Sequence, residues 1–291
     1  MGELEHLVHA ANELGEGALW HPDEQALYWL DILGRAVFRY DPATGNYQRF
    51  SVNTRVTVLG LRERGGFVVG SADGLGFWEP GCSEIDSIAN PTAGQPGVRL
   101  NDGAVDPLGN FWVGSMNEVD ETRSDGALYR LDPAGGLREM ESGFTVSNGV
   151  DWSPDGRTMV FTDTRRRVIL AYDFDLETGE ISNRRTFAEI PDGQGFPDRL
   201  TVDTEGGVWS ARWGGWRVVR HSPDGTVDRE LRLPVANVTS CSFGGPDLDE
   251  LYITSARVTL SDAELSGQAW AGDLFRVKVG VQGRPAFRYR G

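Results

Sequence analysis

Short apolar runs alternate with turn-forming residues along this chain, and the runs recur at a nearly fixed interval. Leu27-Tyr-Trp-Leu-Asp31, Phe67-Val-Val-Gly-Ser71, Asn110-Phe-Trp-Val-Gly-Ser115, Met159-Val-Phe-Thr-Asp163, Gly207-Val-Trp-Ser-Ala211 and Glu250-Leu-Tyr-Ile-Thr-Ser255 are rich in β-branched and aromatic residues. They have the length of strands rather than helices. With Tyr28, Phe67, Phe111, Val160, Val208 and Leu251 as markers, successive spacings are 39, 44, 49, 48 and 43 residues. A turn precedes each run, as in Asp106-Pro-Leu-Gly109, Ser153-Pro-Asp-Gly156 and Asp203-Thr-Glu-Gly206. In such turns Pro fixes φ, Asp bonds local backbone N–H groups and Gly accepts positive φ. A second strand follows, such as Ala36-Val-Phe-Arg-Tyr40, Ala127-Leu-Tyr-Arg-Leu131 or Val168-Ile-Leu-Ala-Tyr172.

Six copies of a four-stranded unit about 45 residues long predict an all-β fold, a six-bladed β-propeller. A β-sandwich is the competing all-β arrangement, and six near-equal repeats favour the propeller. No linker interrupts the pattern, so residues 1–291 are expected to form one domain. The segment up to about Asn12 is expected to complete the last blade and close the ring. Ser261 followed by Glu264 stands in capping-box order and predicts one short helical turn over 261–265.

Composition narrows the partners. Glycine accounts for 38 of 291 residues, about twice the usual share, which suits many tight turns. The net charge of −15 argues against nucleic acid. No apolar stretch is long enough to span a membrane, and no basic-then-apolar secretory signal opens the chain, so a cytoplasmic location is expected. Cys82 and Cys241 form no CxxC pair and are expected to be buried, reduced thiols. His6, His9, His21 and His221 show no helical pairing or clustering, which argues against a His-rich zinc site.

In a propeller, polar residues at loop-to-strand junctions converge on the axis. Gly15-Glu16-Gly17, Arg99-Leu-Asn101-Asp102-Gly103, Ser147-Asn148-Gly149 and Pro197-Asp198 occupy that phase, just before an expected inner strand. Glu16, Asn148 and Asp198 together would supply the hard oxygen donors that Ca²⁺, Mg²⁺ or Mn²⁺ prefer. On spacing alone, Asn-Gly and Asp-Gly pairs read equally as ordinary turns. Neither Gly-X-Ser-X-Gly nor a phosphate loop is present. Trp209, Trp213 and Trp216 fit either a sugar-stacking wall or blade core.

The chain resembles the senescence-marker-protein/gluconolactonase family, especially its bacterial aldonolactonases. The resemblance runs through Leu14-Gly-Glu-Gly17, Arg99-Leu-Asn-Asp-Gly103, Ser147-Asn-Gly149, Ile181-Ser-Asn-Arg-Arg185 and Pro197-Asp198. It continues with Trp213-Gly-Gly215, Asn237-Val-Thr-Ser-Cys-Ser-Phe-Gly-Gly245 and Ala271-Gly-Asp-Leu-Phe275. It implies a six-bladed propeller with one divalent cation (Ca²⁺, Zn²⁺, Mn²⁺, Mg²⁺ or Fe²⁺) on its axis. By the same resemblance, Glu16, Asn148 and Asp198 are the metal ligands, Arg99 and Asn101 contact sugar, and Asp198 is the general base. The implied reaction is hydrolysis of a sugar lactone such as arabinono-, xylono-, galactono- or gluconolactone. A non-catalytic cation-binding regulatory propeller and an organophosphate or aryl esterase are the alternatives. Glu118 sits in a 116–123 loop that departs from the family pattern; as a lid, this loop would contact the sugar and set which one fits. Arg199 stands where the family has glycine. If that position needs positive φ, Arg199 is strained. Its side chain is expected either to enter the pocket and pair with Asp198 or to point into solvent.

Overall fold

The computed structural model describes residues 2–291; Met1, the first residue of the expected domain, lies outside them. Six sheets, each of four antiparallel strands, radiate from a common axis as a β-propeller, and the second also takes the short parallel strand Arg288–Tyr289 against Val56–Arg62. The first strands of the blades, lining the axis, are Gly15–His21, Val56–Arg62, Val98–Val105, Ser147–Trp152, Phe196–Val202 and Val238–Gly244. All six marker residues lie on the second strands, so the repeat was read in its true phase.

Each blade has two faces to bury, and the apolar residues form six clusters rather than one core. Every cluster joins two neighbouring blades. Trp112 and Leu128 of the third blade pack with Trp152, Phe161 and Tyr172 of the fourth. Trp20 and Trp29 of the first pack with Tyr252 and Leu274 of the last. A sandwich would instead bury one interface between two sheets.

The Asp-rich turns act as small hydrogen-bond hubs. The Asp203 carboxylate, fully buried, accepts from the backbone N–H groups of Glu205 and Gly207, from Trp209 Nε1 at 2.8 Å and from Arg220 Nε at 2.7 Å. Asp106 repeats the pattern in the third blade, accepting from Trp112 Nε1 at 2.8 Å. The Asp therefore fixes both the turn and the Trp that fills the inter-blade space.

The ring closes as expected. Glu5–Val8 pairs antiparallel with Leu274–Lys278 as the outer strand of the last blade. His6 and His9 meet there on one buried carboxylate: His6 Nε2 and His9 Nδ1 each lie 2.8 Å from Asp273 Oδ2. The expectation that the histidines do not cluster is thus overturned for this pair, because Asp273 is distant in sequence and invisible to local spacing. The C-terminal segment makes a second closure at the opposite end of the channel. Residues 282–289 bond to every blade, through Asp23, Leu61, Asp132, Trp152, Thr204 and Leu248. Below them only about 80 Å³ of space remains between the ends of the inner strands.

The single turn is present as Asp262–Ser266, with Ser261 as N-cap and Glu264 Oε2 accepting the Ser261 N–H at 2.8 Å. Both cysteines are free, but Cys82 is exposed, not buried, because it lies in the loop after the third strand of its blade. No helix among the described residues is long and apolar enough to cross a membrane.

Asp203→Ala is expected to lower the unfolding free energy by about 3–5 kcal/mol, since it strips a buried hub and leaves its donors unmet. Urea denaturation measures this; a loss as small as that of an exposed-turn aspartate such as Asp224→Ala would refute it.

Candidate active site

Inner-strand side chains alternate between the two faces of the blade, and both faces are packed against neighbours. A regular strand would therefore send few groups toward the axis. In all six inner strands the pairing register slips at the start: between Glu16 and Leu19, Val56 and Val58, Leu100 and Gly103, Asn148 and Val150, Pro197 and Leu200, and Val238 and Ser240. A bulge of this kind re-aims a side chain. Glu16, Asn101, Asn148 and Asp198 consequently lie within the inner strands, at the bulges, and not just before them as expected, with Arg99 two residues ahead of Asn101 and Glu118 just after the second strand of the same blade. Thr57 and Thr239 hold the matching places in the second and sixth blades. Small residues permit the crowding: a Cβ at Gly103 would collide with the Trp112 carbonyl, and one at Gly149 with the Leu200 N–H of the next blade.

A cavity of about 330 Å³ opens above the bulges, and its wall includes all six expected site residues: Glu16, Arg99, Asn101, Glu118, Asn148 and Asp198. A chain of hydrogen bonds runs round it. Glu118 receives Arg55 Nη1 at 2.8 Å and Nη2 at 3.0 Å, and Arg99 Nε at 3.0 Å. Arg99 Nη1 donates onward to Asn101 Oδ1 at 2.8 Å. Asn101 Nδ2 donates to Asn148 Oδ1 at 3.2 Å, and Asn148 Nδ2 to Thr164 Oγ1 at 3.0 Å. Each amide is thereby held in one orientation, and Asn148 Oδ1 keeps a second lone pair free. The bonds from Arg55, then the nearby charge of Arg99, hold Glu118 below the usual carboxylate range.

Glu16 and Asp198 are different. Burial, and behind it the charge of Asp102, pushes Glu16 up to about 8. Burial, then the charges of Glu16 and Asp102, raises Asp198 well above its ordinary value. Asp198 Oδ1 is buried without a hydrogen-bond partner among the described residues. Two desolvated, mutually repelling carboxylates beside a fixed amide oxygen are a poor arrangement for an empty channel and a good one for a divalent cation, whose oxygen-donor preference they meet. The residues present fit such an ion.

Arg199 follows neither expectation. It is buried, its φ is not positive, and it pairs with Asp102 of the third blade rather than with Asp198. Arg199 lines the narrow space at the other end of the channel, not the cavity that Asp198 enters. The tryptophans divide: Trp209 is fully buried between blades, Trp213 lines the cavity, and Trp216 is partly exposed. The 116–123 loop stands at the cavity mouth, where Arg165 Nε binds Glu121 Oε2 at 2.8 Å and the Arg165 guanidinium lies over Phe196. Arg55, Thr164, Arg165 and Phe196 were missed from sequence. Only Arg55 carried a signal, standing one residue ahead of its inner strand in the phase used for the other blades.

Comparison with known proteins agrees with this architecture. The SMP-30/Gluconolactonase/LRE-like region matches residues 14–257. A pentonolactonase of Haloferax volcanii is 38% identical over 290 residues, covering 97% of this chain and 96% of its own. A 6-deoxy-6-sulfogluconolactonase of Pseudomonas putida is 37% identical, covering 96% of each chain. The crystal structure of a calcium-binding protein, regucalcin, from Agrobacterium tumefaciens superposes with a TM-score of 0.94 at 27% identity, covering 100% of this chain and 98% of that one.

Two outcomes are expected. Glu16 holds a proton, up to about 8, that the unfolded chain releases near 4.5. Its stabilising contribution to the metal-free protein is therefore complete below about 4.5 and lost as pH rises toward 8. Melting of stripped protein should show a lower Tm at pH 8 than at pH 6, with the slope reduced in Glu16→Gln; a flat wild-type profile would contradict the repulsion. Separately, Arg199→Gly leaves buried Asp102 without its partner and should cost about 3–5 kcal/mol in denaturant unfolding.

Proposed function

The chain belongs to the SMP-30/gluconolactonase/LRE-like family, and from that premise we propose that it hydrolyses aldonolactones with one divalent cation held by Glu16, Asn148 and Asp198. The observation that carries the reading is Asp198 Oδ1, a buried oxygen unpartnered among the described residues, in the cavity that Glu16 and Asn148 share. The named lactonase relatives support the reaction class, and the regucalcin structure supports a hard cation such as Ca²⁺.

When bound, the cation supplies Lewis-acid polarisation of the lactone carbonyl and stabilises negative charge growing on its oxygen. The chain's own groups supply position and proton transfer. Arg99 and Asn101, locked to each other and to Glu118, present fixed polar groups to the ring hydroxyls, and Glu118 accepts from them at the mouth. Trp213 and Phe196 give the cavity an apolar wall for the C–H faces of the sugar. Asp198 accepts the proton of the attacking water. The water oxygen joins the carbonyl carbon, the bond from that carbon to the ring oxygen breaks, the ring oxygen takes up a proton, and an open-chain aldonic acid results. The cavity volume suits a lactone of five or six carbons.

A grid of metals against pentono- and hexonolactones on stripped protein, followed by proton release, tests the proposal. Activity should require added cation. Glu16→Gln, Asn148→Ala and Asp198→Asn should each lose at least about a hundredfold in kcat/KM. Arg99→Ala should chiefly raise KM. Ordinary turnover by the three ligand variants would sink the assignment, and tight cation binding without hydrolysis of any lactone would favour a regulatory propeller.

A further inference from the structure

The closing strand carries a second constellation, remote from the cavity. His6 lies on Glu5–Val8 opposite Phe275, and His9 follows the strand. In a regular strand, residues three apart point to opposite faces. Here the register shifts between His6 and Val8, and this irregularity brings both rings to the same side. His6 Nε2, His9 Nδ1 and an Asp273 oxygen all lie within 4.8 Å of one another. Asp273 Oδ2 is 2.8 Å from each ring, while its Oδ1 accepts the Ala11 N–H at 2.9 Å, which fixes the carboxylate's orientation. The Asp273 side chain is 0% exposed, yet no Lys or Arg pairs with it among the described residues. A buried carboxylate facing only two imidazoles is short of positive charge. The His9 side chain, 66% exposed, leaves the group open to solvent.

We propose that His6, His9 and Asp273 form a second cation site, for a transition-metal ion such as Zn²⁺, which staples the N-terminal strand to the last blade. Two imidazoles and one carboxylate match borderline metals, whereas the all-oxygen axial set suits hard ones. The two sites should therefore select different ions. An ion here would crosslink residues 6 and 9 to residue 273, across the seam where the first and last parts of the chain meet. It would stabilise the closed ring without touching the cavity.

Zinc chloride titrated calorimetrically into the full chain tests this, in excess calcium and also in a Glu16→Gln/Asp198→Asn background that disables the axial set. One zinc equivalent is expected in both cases, with Tm raised by about 4 °C at a hundredfold excess over Kd. His9→Ala, chosen because that side chain is largely exposed, should keep the zinc-free Tm and lose the equivalent. His6→Asn should lose it as well. No zinc uptake by the wild type in excess calcium, or an undiminished equivalent and Tm rise in His9→Ala, would overturn the proposal.

Discussion

Each four-stranded blade has two apolar faces and can bury neither alone. In this chain both faces of every blade are covered by neighbouring blades, and the six clusters form a closed cycle with no external surface to hide. That mutual dependence is what the architecture rests on. It explains why the first blade needs the last, why the last strand to complete the ring comes from the N-terminus, and why the axis is left to polar groups. Since the faces are committed to packing, the strand starts are the places where side chains can turn inward, and the bulges turn them.

The axis then gathers charge that the packing isolates from water. Burial raises all three of Glu16, Asp102 and Asp198; the charge of Asp102 adds to it at Glu16, and the charges of Glu16 and Asp102 add to it at Asp198, with Arg199 the cation that answers Asp102 from below. The wall above is organised differently. There, arginines outnumber the carboxylates they hold, and each guanidinium is spent on orienting a neighbour: Arg55 and Arg99 on Glu118, Arg165 on Glu121. The floor is electrostatically unsatisfied and the wall is satisfied, a division that suits an ion below and a neutral polyhydroxylated ring above.

The repeat, its phase and the ring closure were legible in the sequence because a period of about 45 residues survives divergence of individual positions. The six candidate residues also reached one cavity: Glu16, Asn101, Asn148 and Asp198 share the inner-strand phase, Arg99 stands two residues ahead of Asn101, and Glu118 comes from the loop after a second strand. What escaped was set by contacts between blades. Arg199 was read against its neighbour Asp198, yet its partner is Asp102, two blades earlier in the chain. His6 and His9 looked scattered because Asp273 lies at the far end of the sequence. Trp209, Trp213 and Trp216 looked like one cluster, but strand ends and turns assign them to core, cavity and surface. Local spacing reports phase within a blade; it is silent on which blade stands next to which residue.

The C-terminal segment stitched across all six blades gives the channel a floor as well as a frame. With one end sealed, the cavity is a cul-de-sac. A molecule that reached the axis would have to depart by the mouth through which it came, past the loop bearing Glu118 and Glu121. A ring-opened acid is longer and more negative than the lactone it came from, so traffic through that single doorway, rather than bond cleavage, is a natural place for the cycle to slow.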